Sequence, residues 1–172
     1  QKMEGGCDRT SDFLKMATTV HSVLGDEEWT RTLIQKAQAN CDDRFSLLTI
    51  AGKVLASIGD ENWAGELYAK AAEQCSDSVQ YEHLFRTVEA QSSNKELLKN
   101  LHTKAEESLS DAKNLATLAE SVTRRFDSPD WARTIYKKAV AAADFQKAKF
   151  DVAASAENVL GDRKLAATIR NT

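Results

Sequence analysis

The chain repeats itself every 34 residues without insertion or deletion, and that register constrains its fold more than any other feature. Trp29, Trp63 and Trp131 stand on the period, with Leu97 and Leu165 in the two remaining slots. Leu33, Leu67, Leu101, Ile135 and Ile169 form a second column, and Ala37, Ala71, Ala105 and Ala139 a third. A repeat of this length holds two helices, which cannot close a core alone, so the copies are predicted to stack.

Helix starts divide the copies. Positions 26, 60, 94, 128 and 162 read Asp, Asp, Asn, Ser and Asp, all residues that accept hydrogen bonds from first-turn amides. Positions 8, 42, 76, 110 and 144 read Asp, Asp, Ser, Ser and Asp, and are predicted to start the second helices. Gly25, Gly59, Ser93, Asp127 and Gly161 precede the first caps, where a left-handed residue ends the preceding helix. Pro129 falls at the first helical position, where its missing amide costs nothing. The resulting division is a single repeat domain over 1–172. It opens with the second helix of an incomplete copy at 8–25, continues through copies at 26–59, 60–93, 94–127 and 128–161, and ends in a short terminal helix at 162–172.

Between these caps the apolar residues recur at steps of three and four, the pattern of an amphipathic helix, with no sustained alternation for strands. The first full copy places Trp29, Leu33, Ala37 and Cys41 on one face of its first helix, and Leu47, Ile50, Ala51 and Val54 on its second. The alanine column marks the predicted line of closest helix approach, where a larger side chain should cost about 1–3 kcal/mol.

Cys7, Cys41 and Cys75 share one slot with Leu109 and Ala143, which describes a small buried site rather than a metal or disulfide framework. No cofactor is predicted, since the phosphate-loop, dinucleotide, zinc and nucleophile-elbow signatures are absent from the sequence. A net charge of −3 argues against nucleic acid as a partner, and more weakly against an anionic membrane surface. No apolar run approaches the length that spans a membrane.

His21, His83 and His102 occupy three different columns and build no ligand set. Glu27, Glu28, Glu61, Glu96 and Asp130 recur in first turns, where negative charge favours the helix dipole, so a catalytic pair is not expected from them. Two stripes remain. Ile34, Tyr68, His102 and Tyr136 form a mixed aromatic column, predicted to be half-buried beside a groove. Lys36, Lys70, Lys104 and Lys138 run next to it, either as a ladder for an acidic partner or as stems covering the alanines with their charges in water.

A 34-residue, two-helix unit with an aromatic early in its first helix resembles the tetratricopeptide-like superfamily. The likeness covers essentially the whole chain as architecture. The family's Tyr seven residues after the Trp is replaced here by Lys36, Lys70 and Lys138, and its proline near the end of the unit is missing. The resemblance implies a right-handed all-α solenoid of antiparallel helix pairs that binds a protein or peptide along its concave surface. The sequence reading is therefore a non-enzymatic scaffold or adaptor, with the aromatic and lysine columns as its binding residues. Its alternatives are a small ligand between copies, or end-to-end association of like chains through the terminal helices.

Overall fold

The computed structural model describes the backbone over residues 4–171 and side chains from residue 10. Over those residues the protein is all-α, with ten α-helices, one π-helical turn and no strand. The helices are α1 (Glu4–Thr19), α2 (Glu27–Asn40), α3 (Arg44–Ser57), α4 (Glu61–Glu73) and α5 (Ser78–Gln91), followed by α6 (Lys95–Ser108), α7 (Ala112–Phe126), α8 (Pro129–Ala141), α9 (Gln146–Leu160) and α10 (Arg163–Arg170). The π turn, Val20–Leu24, continues α1.

The chain divides into two compact units. The first comprises Gln1–Cys75 with His83–Leu101, and the second Ser76–Glu82 with His102–Thr172. In the first, α1 packs on α2, α2 on α3 and α3 on α4, and α1 also meets α3. In the second, α7 packs on α8, α8 on α9 and α9 on α10, and α7 meets α9. The links between helices are two to four residues long.

Local chemistry explains the boundaries. Asp26, Asp60, Asn94 and Asp162 each accept the amide three residues on, at 2.8 to 3.0 Å. Ser128 makes no such bond, and Pro129 begins α8 in its place. Gly25, Gly59 and Gly161 take positive φ, and Asp127 joins them at 47°. That conformation turns the chain sharply out of one helix and into the next cap.

The second cap column lies one residue later than predicted. Asp43, Asp77 and Asp111, not Asp42, Ser76 and Ser110, accept the first-turn amides of α3, α5 and α7. The true column breaks at Phe145, which starts α9 without a side-chain bond, so the polar column beside it looked more complete. Asp8 does not start a helix either: α1 already runs from Glu4. The side chains of Cys7 and Asp8 lie outside the described residues.

The alanine column is entirely enclosed, with Ala37, Ala71, Ala105 and Ala139 at 0% exposure. Leu33 and Ala37 are buried on α2 as predicted, Cys41 is buried just past its end in extended backbone, and Trp29 is 45% exposed. Trp63 and Trp131 are only half-buried, because the tryptophan column marks the rim of the packed face, not its middle.

Candidate functional site

On α2, Arg31, Gln35 and Gln38 follow each other by four and three residues and so share one face. On α4, Trp63 and Lys70 are seven apart and do the same. Within the first unit these faces border an open cleft of about 730 Å³, also lined by Asn40, Cys41 and Asp42. One end is tied by Gln74, whose side-chain amide donates to the Asp42 carbonyl at 2.6 Å.

Trp63 organises this cleft. Its indole N–H donates to Gln38 Oε1 at 2.9 Å. The Arg31 guanidinium lies 5.4 Å from the Trp63 ring centroid and reaches Asp60 Oδ2 at 3.0 Å. Asp60 meanwhile accepts the Trp63 backbone amide at 3.0 Å. That amide first, and the Arg31 guanidinium second, hold the Asp60 carboxyl below its ordinary range. Helix start, cation and aromatic ring are thereby fastened together.

The second unit has contacts of the same kinds in different places, since the arginine–cap pair there belongs to the helix start after Trp131 and Ser128, the cap before Trp131, makes no side-chain bond. Trp131 Nε1 donates to Glu106 Oε2 at 2.6 Å, and Lys138 Nζ reaches Glu106 Oε1 at the same distance. Arg133 joins Asp162 at 2.9 Å and Asp130 at 2.8 Å. Asp162 is shifted down like Asp60, by the Leu165 amide and then by Arg133. Both tryptophan bonds span 25 residues and both arginine bonds to a cap span 29. Sequence reasoning missed these pairs, although complementary side chains recurring at one offset were the available signal.

The aromatic column is fully buried. Ile34, Tyr68, His102 and Tyr136 are all 0% exposed, so the half-buried placement is corrected and they offer no contact area to a partner. Their polar tips are satisfied inside the helix pairs. Tyr68 donates to Gln91 Oε1 at 2.6 Å, His102 Nε2 meets Ser121 Oγ at 3.0 Å, and the Tyr136 hydroxyl meets Ser155 Oγ at 2.8 Å. A ring that buries its body and bonds its tip suits an interior position as well as a rim. Burial pushes Tyr68 up to about 12 and does the same to Tyr136, where the Glu120 carboxylate adds to the shift.

The lysine column is uneven. Lys36, Lys70 and Lys138 are exposed and Lys104 is half-buried. Lys138 is engaged by Glu106, while the side chains of Lys36 and Lys70 bond to no other described residue. Of the column, only Lys70 lines the cleft in the first unit.

Elsewhere, Cys41 and Cys75 are buried and not joined in a disulfide. His83 is exposed and meets Phe45 edge-on at 5.5 Å. Among the described residues no group of three or more His, Cys, Asp or Glu is placed to hold a metal ion. No described helix is long and apolar enough to cross a membrane. No family model matches the sequence, and no curated protein matches it.

Proposed function

We propose that the chain is a protein- or peptide-binding scaffold, and that its binding site is the cleft along α2 and α4. In this reading the helix pairs are 34-residue units of a right-handed α-solenoid, with the handedness taken from the tetratricopeptide-like resemblance. The binding residues are Arg31, Gln35, Trp63 and Lys70, with Lys36 beside them. Ile34, Tyr68, His102 and Tyr136 support the helices from within.

One observation carries the reading: the cleft is open and polar, and its Gln35 and Lys70 side chains bond to nothing else described. An unspent amide can both donate to and accept from a peptide backbone. Its size falls within the range of about 300–1,000 Å³ typical of ligand sites. Arg31 and Trp63 hold each other in place, so little side-chain freedom is lost on binding.

The test is selection from a random peptide library with the purified chain, followed by photo-crosslinking from a probe at Gln35. Selected peptides that crosslink at Gln35 support the scaffold reading. A library that yields no binder, or binders that never crosslink there, ends it.

Self-association has an observation of its own, since Val23, Leu24 and Trp29 are 71%, 61% and 45% exposed within one short stretch. Exposed apolar side chains this close in sequence favour association with a like surface. Sedimentation at rising concentration, repeated with Val23→Ser and Leu24→Ser, tests that reading.

A further inference from the structure

At the two tryptophan sites the acceptor of the indole N–H differs, Gln38 in one and Glu106 in the other, and the difference leaves Lys70 without the carboxylate that Lys138 has. In the second unit Glu106 serves both Trp131 and Lys138. In the first unit the corresponding residue is Gln38, which serves Trp63 but brings no negative charge to Lys70. Lys70 lines the cleft, and its side chain bonds to no described residue. Arg31, the other cation of the lining, is already committed to Asp60 at 3.0 Å. Asp42 is the one acidic side chain of the lining, and Lys70 forms no ion pair with it.

We propose that this cleft takes the side chain of a glutamate in an extended peptide. The glutamate's carboxylate sits against Lys70 much as Glu106 sits against Lys138. The inference rests on the scaffold reading and adds the chemistry of the partner. Gln35, one helical turn from Arg31 and from Gln38, supplies the amide that holds the peptide backbone beside the carboxylate. A carboxylate–ammonium hydrogen bond is stronger than a neutral one, so the acidic side chain, not the backbone, sets specificity. Because Lys70 is exposed, the attraction is screened by salt.

The experiment uses the whole chain and two labelled peptides, one of alternating Glu and Ser and one of alternating Gln and Ser, followed by fluorescence anisotropy at low and high salt. The Glu peptide should bind about tenfold more tightly than the Gln peptide and lose that margin at high salt. Lys70→Ala should weaken the Glu peptide about tenfold. Gln38→Glu should weaken it too, by giving Lys70 an internal carboxylate and repelling the peptide's own. Lys138→Ala should leave it unchanged, because Lys138 is already spent on Glu106. Unchanged thermal melting of each variant shows that the fold is intact.

Equal binding of the two peptides, or of the parent and Lys70→Ala, would overturn the inference, as would an effect of Lys138→Ala equal to that of Lys70→Ala. Free glutamate competing as well as the peptide would overturn the peptide source. Library binders that crosslink at Gln35 without acidic preference remove this inference and keep the scaffold reading, whereas the absence of any library binder removes both.

Discussion

Trp131 and Glu106 are joined by a 2.6 Å hydrogen bond from the indole N–H to the carboxylate, and Trp63 and Gln38 by the same bond at 2.9 Å to an amide. The two contacts have the same offset in sequence but different charge. Hydrogen bonds to charged groups contribute about 1.5–3 kcal/mol and neutral ones about 1 kcal/mol. Glu106→Ala is therefore expected to cost about 2 kcal/mol in urea unfolding and Gln38→Ala about 1 kcal/mol. Equal losses would mean that the charge on Glu106 contributes nothing.

A second prediction concerns Gly52. A Cβ built there would lie 2.6 Å from Gln91 Nε2, and Gln91 is the acceptor for the Tyr68 hydroxyl. Alanine in place of a helical glycine normally stabilises by about 1 kcal/mol. Gly52→Ala should give no such gain in the parent, since it displaces the partner of a buried hydroxyl. In a Tyr68→Phe background, where that bond is already gone, the gain of about 1 kcal/mol should appear. The double-mutant cycle measures the difference.

The buried tyrosines predict an alkaline limb of stability. Burial raises Tyr68 from its ordinary 10.0 to about 12, and Tyr136 to about 12 as well. The fold thus favours the protonated phenols. Their contribution is complete below pH 10.0 and is lost as the pH rises toward about 12. Tyrosinate absorbance should show a late-titrating class that diminishes in Tyr68→Phe, and the alkaline fall in melting temperature should flatten in that variant.

The acid limb has the opposite sign. Asp60 and Asp162 are held below the ordinary 3.8 by first-turn amides and by Arg31 and Arg133. Their contribution is present above that ordinary value and is lost as the pH falls through the lowered one. Asp60→Asn keeps a capping oxygen but removes the charge, so its melting temperature should fall less steeply below pH 4 than the parent's. Parallel acid limbs in parent and variant would refute this.

The helical character and the first cap column were legible in the sequence because they are local. Asp26, Asp60, Asn94 and Asp162 bond to amides three residues away, within one turn, and need nothing from the rest of the chain. The second column misled because Phe145 interrupts the true run of Asp43, Asp77 and Asp111, and a criterion of unbroken polarity preferred its neighbour. Tyr68, His102 and Tyr136 misled for another reason. Amphipathic rings fit a rim or an interior equally well, and the choice depends on whether Gln91, Ser121 or Ser155 is there to bond the tip.

By itself, then, the sequence determined that this protein is helical, where its first helices begin and which alanines are enclosed, since periodicity and capping act over a single helix. Tertiary structure alone decided which lysines have charge partners and which polar rings are covered. Both depend on residues about 20–35 positions away that are brought within 3 Å only when neighbouring helices pack. Lys138 meets Glu106 across such a contact, and the Lys70 side chain meets no described carboxylate, though both lysines belong to one column of the sequence.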